Sequence, residues 1–338
     1  MSLLRKGAIT RRGGRFRPWL KGWSYRKSHV INAASNAGTN YQVKIVVHYG
    51  TGTDNGSDVY LNNHARNDFG DVRFTSSDQT TLLDYWMEEK VDSDYAVFWV
   101  EVADDLSSAN QTIYIYYGNA SATTTSNGVN TFLLFDDLND NSLNTTIWNQ
   151  INGGFLEQNQ EWERDGLSAG ASRAHINKNM TALNGRFVIR RFKVTSDGHN
   201  IFDLRFIAAD YVTDWGIDHY RLYVSPYDYA VYFQRYNGGT GTTLYSNTSA
   251  SLNADTFYRL ECLKSGSHLE FTVSRESDNA LIDSWSGTDS APLTTAGYFG
   301  ARSAFYNTAA MTVSDDLFIA KYVYPEPSHG SWGSEERY

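Results

Sequence analysis

Three runs in the first third of the chain limit its fold more than any other feature: Tyr41-Gln42-Val43-Lys44-Ile45-Val46-Val47, Tyr95-Ala96-Val97-Phe98-Trp99-Val100-Glu101-Val102 and Gln111-Thr112-Ile113-Tyr114-Ile115-Tyr116-Tyr117. Each is rich in β-branched and aromatic residues, has the length of a strand, and is bounded by Gly, Asn, Asp or Ser turn signals. Similar runs recur at 186–194, 201–208, 219–225, 229–236, 256–263, 268–275, 298–304 and 311–323. Within one of them Tyr220, Leu222 and Val224 share a face while His219, Arg221 and Tyr223 share the other, as strand alternation requires. No long amphipathic helix competes. The 23 Tyr, 17 Phe and 9 Trp, against 5 Pro and 4 Met, agree with pleated sheets and polar turns. A chain of 338 residues also exceeds the size at which one core stops growing. The expected class is all-β: two tandem β-sandwich (jelly-roll) domains with an N-terminal basic arm.

Residues 1–18 are Arg- and Gly-rich without apolar periodicity, which marks an arm rather than a domain element. Residues 121–130 are small and polar and read as a linker. The expected divisions are thus the arm at 1–18, sandwiches at 19–130 and 131–327, and a C-terminal tail at 328–338. Net charge is −9, unevenly spread: residues 1–27 hold nine Lys or Arg and no acid, and the remaining 20 basic and 38 acidic residues give −18. Such an arm, through Arg5, Arg11, Arg12, Arg15 and Arg17, suits docking on an acidic surface of another chain. Nucleic acid is the weaker partner, because the body would be repelled by a polyanion.

The single cysteine, Cys262, cannot close an internal disulfide and alternates with Tyr258 and Leu260 on one strand face, so it reads as a buried, inert thiol. A lack of disulfides leans toward assembly in a reducing compartment, which a virion or surface protein also satisfies. No stretch approaches the roughly 18 apolar residues of a membrane span, and residues 1–22 lack the apolar centre of a signal peptide, so export by the usual route is not expected. Asn-x-Ser/Thr sequons at Asn55, Asn110, Asn119, Asn144, Asn179 and Asn247 fit an exposed chain, although a sequence this rich in Asn and Thr yields several by chance.

Trp23-Ser24-Tyr25-Arg26-Lys27, Asp71-Val72-Arg73-Phe74-Thr75, Thr81-Leu82-Leu83-Asp84-Tyr85-Trp86 and Ile113-Tyr114-Ile115-Tyr116-Tyr117-Gly118-Asn119 together resemble the uncharacterised family called domain of unknown function 2341. The resemblance covers 19–130 and implies a β-sandwich module of surface proteins. Phe135-Asp136-Asp137-Leu138 with Trp148, and Val313-Ser314-Asp315-Asp316-Leu317-Phe318-Ile319-Ala320-Lys321-Tyr322, resemble the opening and closing strands of a concanavalin-like (laminin-G-like) jelly roll. That resemblance implies a structural calcium ion held by Asp136, Asp137, Asp315 and Asp316 where first and last strands meet. It implies surface binding, with no reaction attached.

Chemistry-bearing constellations are sparse. Glu161 and Glu163 stand two apart on a strand, about 7 Å from one another, the nearest approach to a glycosidase pair, but no Glu-x-Asp-x-x-Glu run surrounds them. The eight histidines are scattered without zinc spacing. No nucleophile elbow or phosphate loop is present; Gly238-Gly239 with Gly241 reads as a hairpin turn. The best ligand surface is a polar strand face bearing His219, Arg221 and Tyr223 beside Tyr232, Gln234 and Tyr236, with Trp215 in the preceding loop. Flat rings stack on pyranose faces, while Arg and Gln bond hydroxyls; the same stripe is also an ordinary way to pair strands. The expectation is a non-catalytic extracellular, cell-surface or virion protein, an adhesin or decoration binding glycan or another surface chain, within a homo-oligomer or larger assembly. A filament or shell subunit is the alternative, and a polysaccharide-degrading enzyme the second.

Overall fold

The computed structural model describes residues 18–151, 155–158, 161–164, 172–176, 180–194, 201–207, 218–304 and 311–338. The anchoring arginines Arg5, Arg11, Arg12, Arg15 and Arg17, and Trp215, lie outside the described residues. Its regular secondary structure is nearly all strand, as its alternation predicts. β1 (Tyr25–Asn32), β2 (Tyr41–His48), β3 (Asp58–Tyr60), β4 (Arg73–Thr75), β5 (Tyr85–Val91), β6 (Tyr95–Val102) and β7 (Gln111–Tyr117) come first, then a single helical turn, α1 (Gly128–Thr131). There follow β8 (Leu134–Asp136), β9 (Trp148–Ile151), β10 (Phe155–Gln158), β11 (Glu161–Arg164), β12 (Ser172–Ile176), β13 (Gly185–Val194), β14 (Ile201–Ile207), β15 (His219–Ser225) and β16 (Ala230–Asn237). The last are β17 (Thr240–Asn247), β18 (Tyr258–Ser265), β19 (His268–Arg275), β20 (Leu281–Thr288), β21 (Tyr298–Ala304), β22 (Met311–Ala320), β23 (Ser328–Trp332) and β24 (Glu336–Arg337).

Four sheets result. Sheet I runs β23-β1-β7-β4 with β24 beside β1, and sheet II runs β3-β2-β6-β5. Sheet III runs β10-β11-β22-β13-β18-β19-β20 with β8 beside β22, and sheet IV runs β17-β16-β15-β14-β21-β12-β9. Sheets I and II enclose one core, with Ile45, Phe98 and Val100 against Phe74, Ile113 and Ile115. Sheets III and IV enclose the other, with Phe187, Ile189 and Leu317 against Leu204, Leu222 and Phe233. Cys262 sits in this second core, where burial pushes its thiol well up, in keeping with an inert thiol. The β16–β17 hairpin turns on Gly238 (φ 55°) and Gly239 (φ 79°), left-handed positions that glycine adopts without strain.

The two sandwiches are also packed on one another, so the sheets stack in four layers. In β6, Phe98 and Val100 face the first core while Trp99, between them, faces outward; in β22, Leu317 and Ile319 face the second core while Phe318 and Ala320 face outward. The outward set meets: Trp86, Trp99, Phe132, Phe135, Val188, Phe318 and Ala320 form one buried apolar cluster between sheets II and III. Residues 121–130, expected as a linker, are pinned to the first sandwich. Met87 N donates to Ser126 Oγ (2.8 Å), Asn127 N to Tyr85 O (2.8 Å) and Thr125 N to Tyr85 Oη (3.0 Å).

Residues 328–338, expected as a tail, instead return to the first sandwich and pair antiparallel with β1: His29 lies opposite Trp332, and Arg26 opposite Glu336. The seam is closed by aromatic stacking and a histidine pair. His29 stacks on Trp332 (centroids 3.7 Å apart), and its Nε2 lies 2.8 Å from His329 Nδ1. Burial first, then the neighbouring His329, hold His29 down to about 3, and burial lowers His329 too. Asp58 faces His329 from β3. The unfolded chain binds protons near the ordinary value of about 6.5 that these folded imidazoles refuse, so stability must fall as pH drops below that value and level off only near the folded value. Between about pH 7 and pH 5 the urea midpoint should decline, at up to about 1.4 kcal/mol per pH unit per histidine, and His29→Phe should flatten that decline. A wild-type midpoint that stays constant over this interval would show that the pair is not buried neutral.

Candidate functional site

The outer face of sheet IV carries an organised polar set. Register places its residues in rungs across neighbouring strands: Tyr232 opposite Tyr223 and Tyr223 opposite Asp203; Gln234 opposite Arg221 and Arg221 opposite Arg205; Tyr236 opposite His219. Asp203 is opposite Arg302 on the next strand, and Gly300 lies opposite Arg205, leaving no side chain at that point of the grid. Leu204, Leu222 and Phe233 project to the core from the same strands, which fixes this set outward by alternation.

Six of the seven residues expected as ligand contacts therefore share one face, and Trp215 is the seventh, outside the described residues. They do not all present themselves equally. Tyr223 and Tyr236 are nearly buried and His219 wholly so, whereas Tyr232, Gln234 and Arg221 keep some exposure. His219 stacks parallel on Tyr236 at 4.7 Å, and Tyr223 meets Tyr232 edge to face at 5.4 Å. Tyr223 Oη donates to Asp228 Oδ2 (2.7 Å), and burial with that carboxylate raises its phenol. Arg221 spans the middle: its guanidinium carbon lies 5.2 Å from the Tyr223 ring and 5.3 Å from the Tyr236 ring, and its Nε donates to Gln234 Oε1 at 2.7 Å.

Beneath this lies a charge cluster that strand alternation alone did not reveal. Asp203 is fully buried with Arg205 Nη2 at 3.0 Å, Arg302 Nη1 at 3.0 Å and Arg221 Nη1 at 3.6 Å. Burial raises the Asp203 carboxyl, but the three guanidinium groups outweigh it and hold the group below the usual carboxylate range. An aspartate so held keeps its negative charge and is a poor proton donor; it hydrogen-bonds Arg205 and Arg302 and attracts Arg221 across a longer ion pair. The alternation Asp203-Leu204-Arg205-Phe206 carried the signal, since it puts two charges on the polar face of a strand.

Of the expected calcium ligands, Asp136 stands apart from Asp137 and Asp316. Asp136 pairs across from Leu317 rather than Asp316. Its Oδ2 accepts from Trp148 Nε1 (2.6 Å), toward the second core. Asp316 bonds Arg190 Nη1 (3.1 Å), and with Asp137 it lines the crevice at the sandwich junction. The Asp315 side chain lies outside the described residues. Among the described residues no group of three or more His, Cys, Asp or Glu could hold a metal ion. The acids near Asp136 include Asp137, Asp140 and Glu157; burial, a hydrogen bond to Asp140 and the nearby charges push the Glu157 carboxyl up to about 7. Glu161 and Glu163 lie on β11 of sheet III, opposite Ser314 and Thr312, and thus not in the sheet that carries the aromatic face; their side chains lie outside the described residues.

These features define an all-β protein of two packed sandwiches whose outermost sheet displays arginine, amide and tyrosine groups. Residues 68–151 match the family model described as Domain of unknown function (DUF2341). The match starts later than the resemblance over 19–130 and runs through α1 into the second sandwich, taking in Trp86, Trp99, Phe132 and Phe135 of the junction cluster. No curated protein matches the sequence. Among solved structures the chain is similar to the carbohydrate-binding module CBM66 from Bacillus subtilis, at 16% identity and TM-score 0.40, over 53% of this chain and 98% of that one. It is similar to a Bacillus licheniformis beta-glucanase at 11% identity and TM-score 0.41, over 56% and 98%. It is also similar to the VIP36 exoplasmic/lumenal domain in its Ca2+/Man3GlcNAc-bound form, at 13% identity and TM-score 0.43, over 53% and 87%.

Proposed function

We propose that this is a non-catalytic binding protein of a virion or cell surface, and that the outer face of sheet IV takes up a glycan. The observation that supports the reading is the position of Arg221, held between two tyrosine rings, ion-paired with Asp203 at 3.6 Å and sharing a hydrogen bond with Gln234. Tyr232 supplies the accessible ring for stacking on a sugar face, and Gln234 and Arg221 supply donors for hydroxyls. Tyr223, Tyr236 and His219 serve as supports that keep those groups in place. The basic arm anchors the protein to an acidic surface of a partner chain or of other copies in an assembly. It enters the first sandwich at Trp19, which packs edge to face on Tyr116 (5.6 Å) and under the Arg26 guanidinium (4.3 Å).

A glycan array probed with the intact chain tests this. Tyr232→Ala should weaken the captured glycan about tenfold, the worth of one aromatic stacking contact, and Arg221→Gln should weaken it further. If no glycan is captured and light scattering shows the chain polymerising, the structural-subunit reading replaces this one.

A further inference from the structure

A separate cleft of about 760 Å3 opens at the junction of the two sandwiches, within the range of roughly 300–1,000 Å3 typical of small-ligand sites. Its walls come from five places: the turn between β1 and β2, Leu133 just before β8, the 3-10 turn Thr181–Leu183 with its flanking residues before β13, the β18–β19 hairpin, and the crossover that leaves β22 for the first sandwich. The chain crosses from the second sandwich to the first there, through Lys321–Tyr324.

The crossover places an aromatic ring at this cleft under unusual constraint. Tyr324 is 58% exposed, yet its ring is backed by the His268 imidazole at 3.4 Å and 15°. His268 Nε2 is fixed by Glu270 Oε1 (2.6 Å), which also accepts from Tyr322 Oη (2.5 Å), and Tyr324 N donates to Ser265 Oγ (3.1 Å). A large exposed ring held by a chain of contacts behind it costs little further entropy on binding. Around it are polar groups with capacity to spare. Asn184 Oδ1 accepts from Gly266 N (2.9 Å), which leaves its amide N–H groups for another partner, and the side chains of Asn36, Thr181 and Ser267 make no hydrogen bond among the described residues. Among the described residues Lys321, bonded to Thr39 O, is the one charged residue of the lining, and none of the described lining residues is an acid.

One rigid ring, a rim of amides and hydroxyls, a single cation and no carboxylate are what a pyranose needs: its C–H face lies on the ring and its hydroxyls reach the rim. We propose that this junction cleft is a second saccharide-binding site, centred on Tyr324 and independent of sheet IV. Binding there would bridge both sandwiches, so the ligand would read their docked arrangement and not either one alone.

Soluble cello-, manno- and chito-hexaose titrated into the intact chain, followed by calorimetry and by saturation-transfer NMR, test the site. At least one should bind, with Tyr324→Ala weakening it about tenfold and Lys321→Met changing affinity less, while Tyr232→Ala leaves this binding unchanged. Tyr324 is exposed, so an unaltered urea midpoint will show that its substitution leaves the fold intact. Binding by none of the three at millimolar concentration, or binding that Tyr324→Ala leaves intact, overturns the cleft. Loss with Tyr232→Ala but not Tyr324→Ala would support sheet IV and sink the cleft; the reverse keeps the cleft, and the sheet IV reading then stands or falls on the glycan array.

Discussion

Deleting residues 328–338 is expected to unfold the first sandwich. The segment supplies β23 and β24, an outer part of sheet I, and both ladders run along β1. Trp332 covers His29 and sends its indole N–H to Gly56 O (3.0 Å). Glu336 takes two bonds from the buried Arg26 (2.9 and 2.6 Å), while Glu335 accepts from Tyr117 Oη (2.6 Å). Burial of Trp332 contributes about 2 kcal/mol and each lost ladder bond about 1 kcal/mol. Together these take a large share of the roughly 5–15 kcal/mol that holds a domain folded. Arg26 would also keep its charge in a buried place without its carboxylate. The measurement is a two-dimensional amide NMR spectrum with a urea titration: the truncated chain should lose the dispersed signals of residues 25–117. A truncated chain with those signals and an unchanged midpoint would reduce these strands to an appendage.

Much of this architecture was legible, and the failures have physical causes. The strand positions read from the sequence followed from alternation because those strands contact a core, whereas the largely exposed β17 escaped it. The grid of His219, Arg221 and Tyr223 against Tyr232, Gln234 and Tyr236 was legible because β15 and β16 are consecutive and short hairpins fix register. Asp203, Arg205 and Arg302 were missed as a cluster because Asp203 meets Arg302 through pairing of β14 with β21, strands separated by nearly a hundred residues. Ser328-His329-Gly330-Ser331-Trp332 has no apolar alternation at all; it is a strand only because β1 lies open beside it. The docking of the sandwiches was written in the sequence but not read there. Val97-Phe98-Trp99-Val100 and Leu317-Phe318-Ile319-Ala320 are apolar at every position, and a strand apolar on both faces must be covered on both.

The ion pair sealed into that docking surface has the second large expected effect. Glu88 projects from sheet II beside Trp99 and is almost fully buried; it bonds Arg259 of sheet III, accepts from Trp99 Nε1 (2.9 Å), and has Lys44 Nζ at 3.2 Å. Burial raises the Glu88 carboxyl, but Arg259 and Lys44 outweigh it and leave the group far below the ordinary carboxylate range, so it stays charged at any pH near neutral. Glu88→Ala removes the only described carboxylate within 3 Å of Arg259 while the guanidinium remains enclosed, with Glu261 standing off at 4.0 Å. Breaking one side of a buried pair costs about 3–5 kcal/mol, whereas replacing both sides by apolar groups is near neutral. Glu88→Ala should therefore lower the urea midpoint steeply and split one unfolding transition into two, as the sandwiches cease to unfold together. Glu88→Gln with Arg259→Met should restore most of the loss, because no charge is then stranded and Trp86, Trp99 and Phe318 still pack. A Glu88→Ala midpoint within about 1 kcal/mol of wild type would instead mean that the apolar cluster alone holds the four layers together.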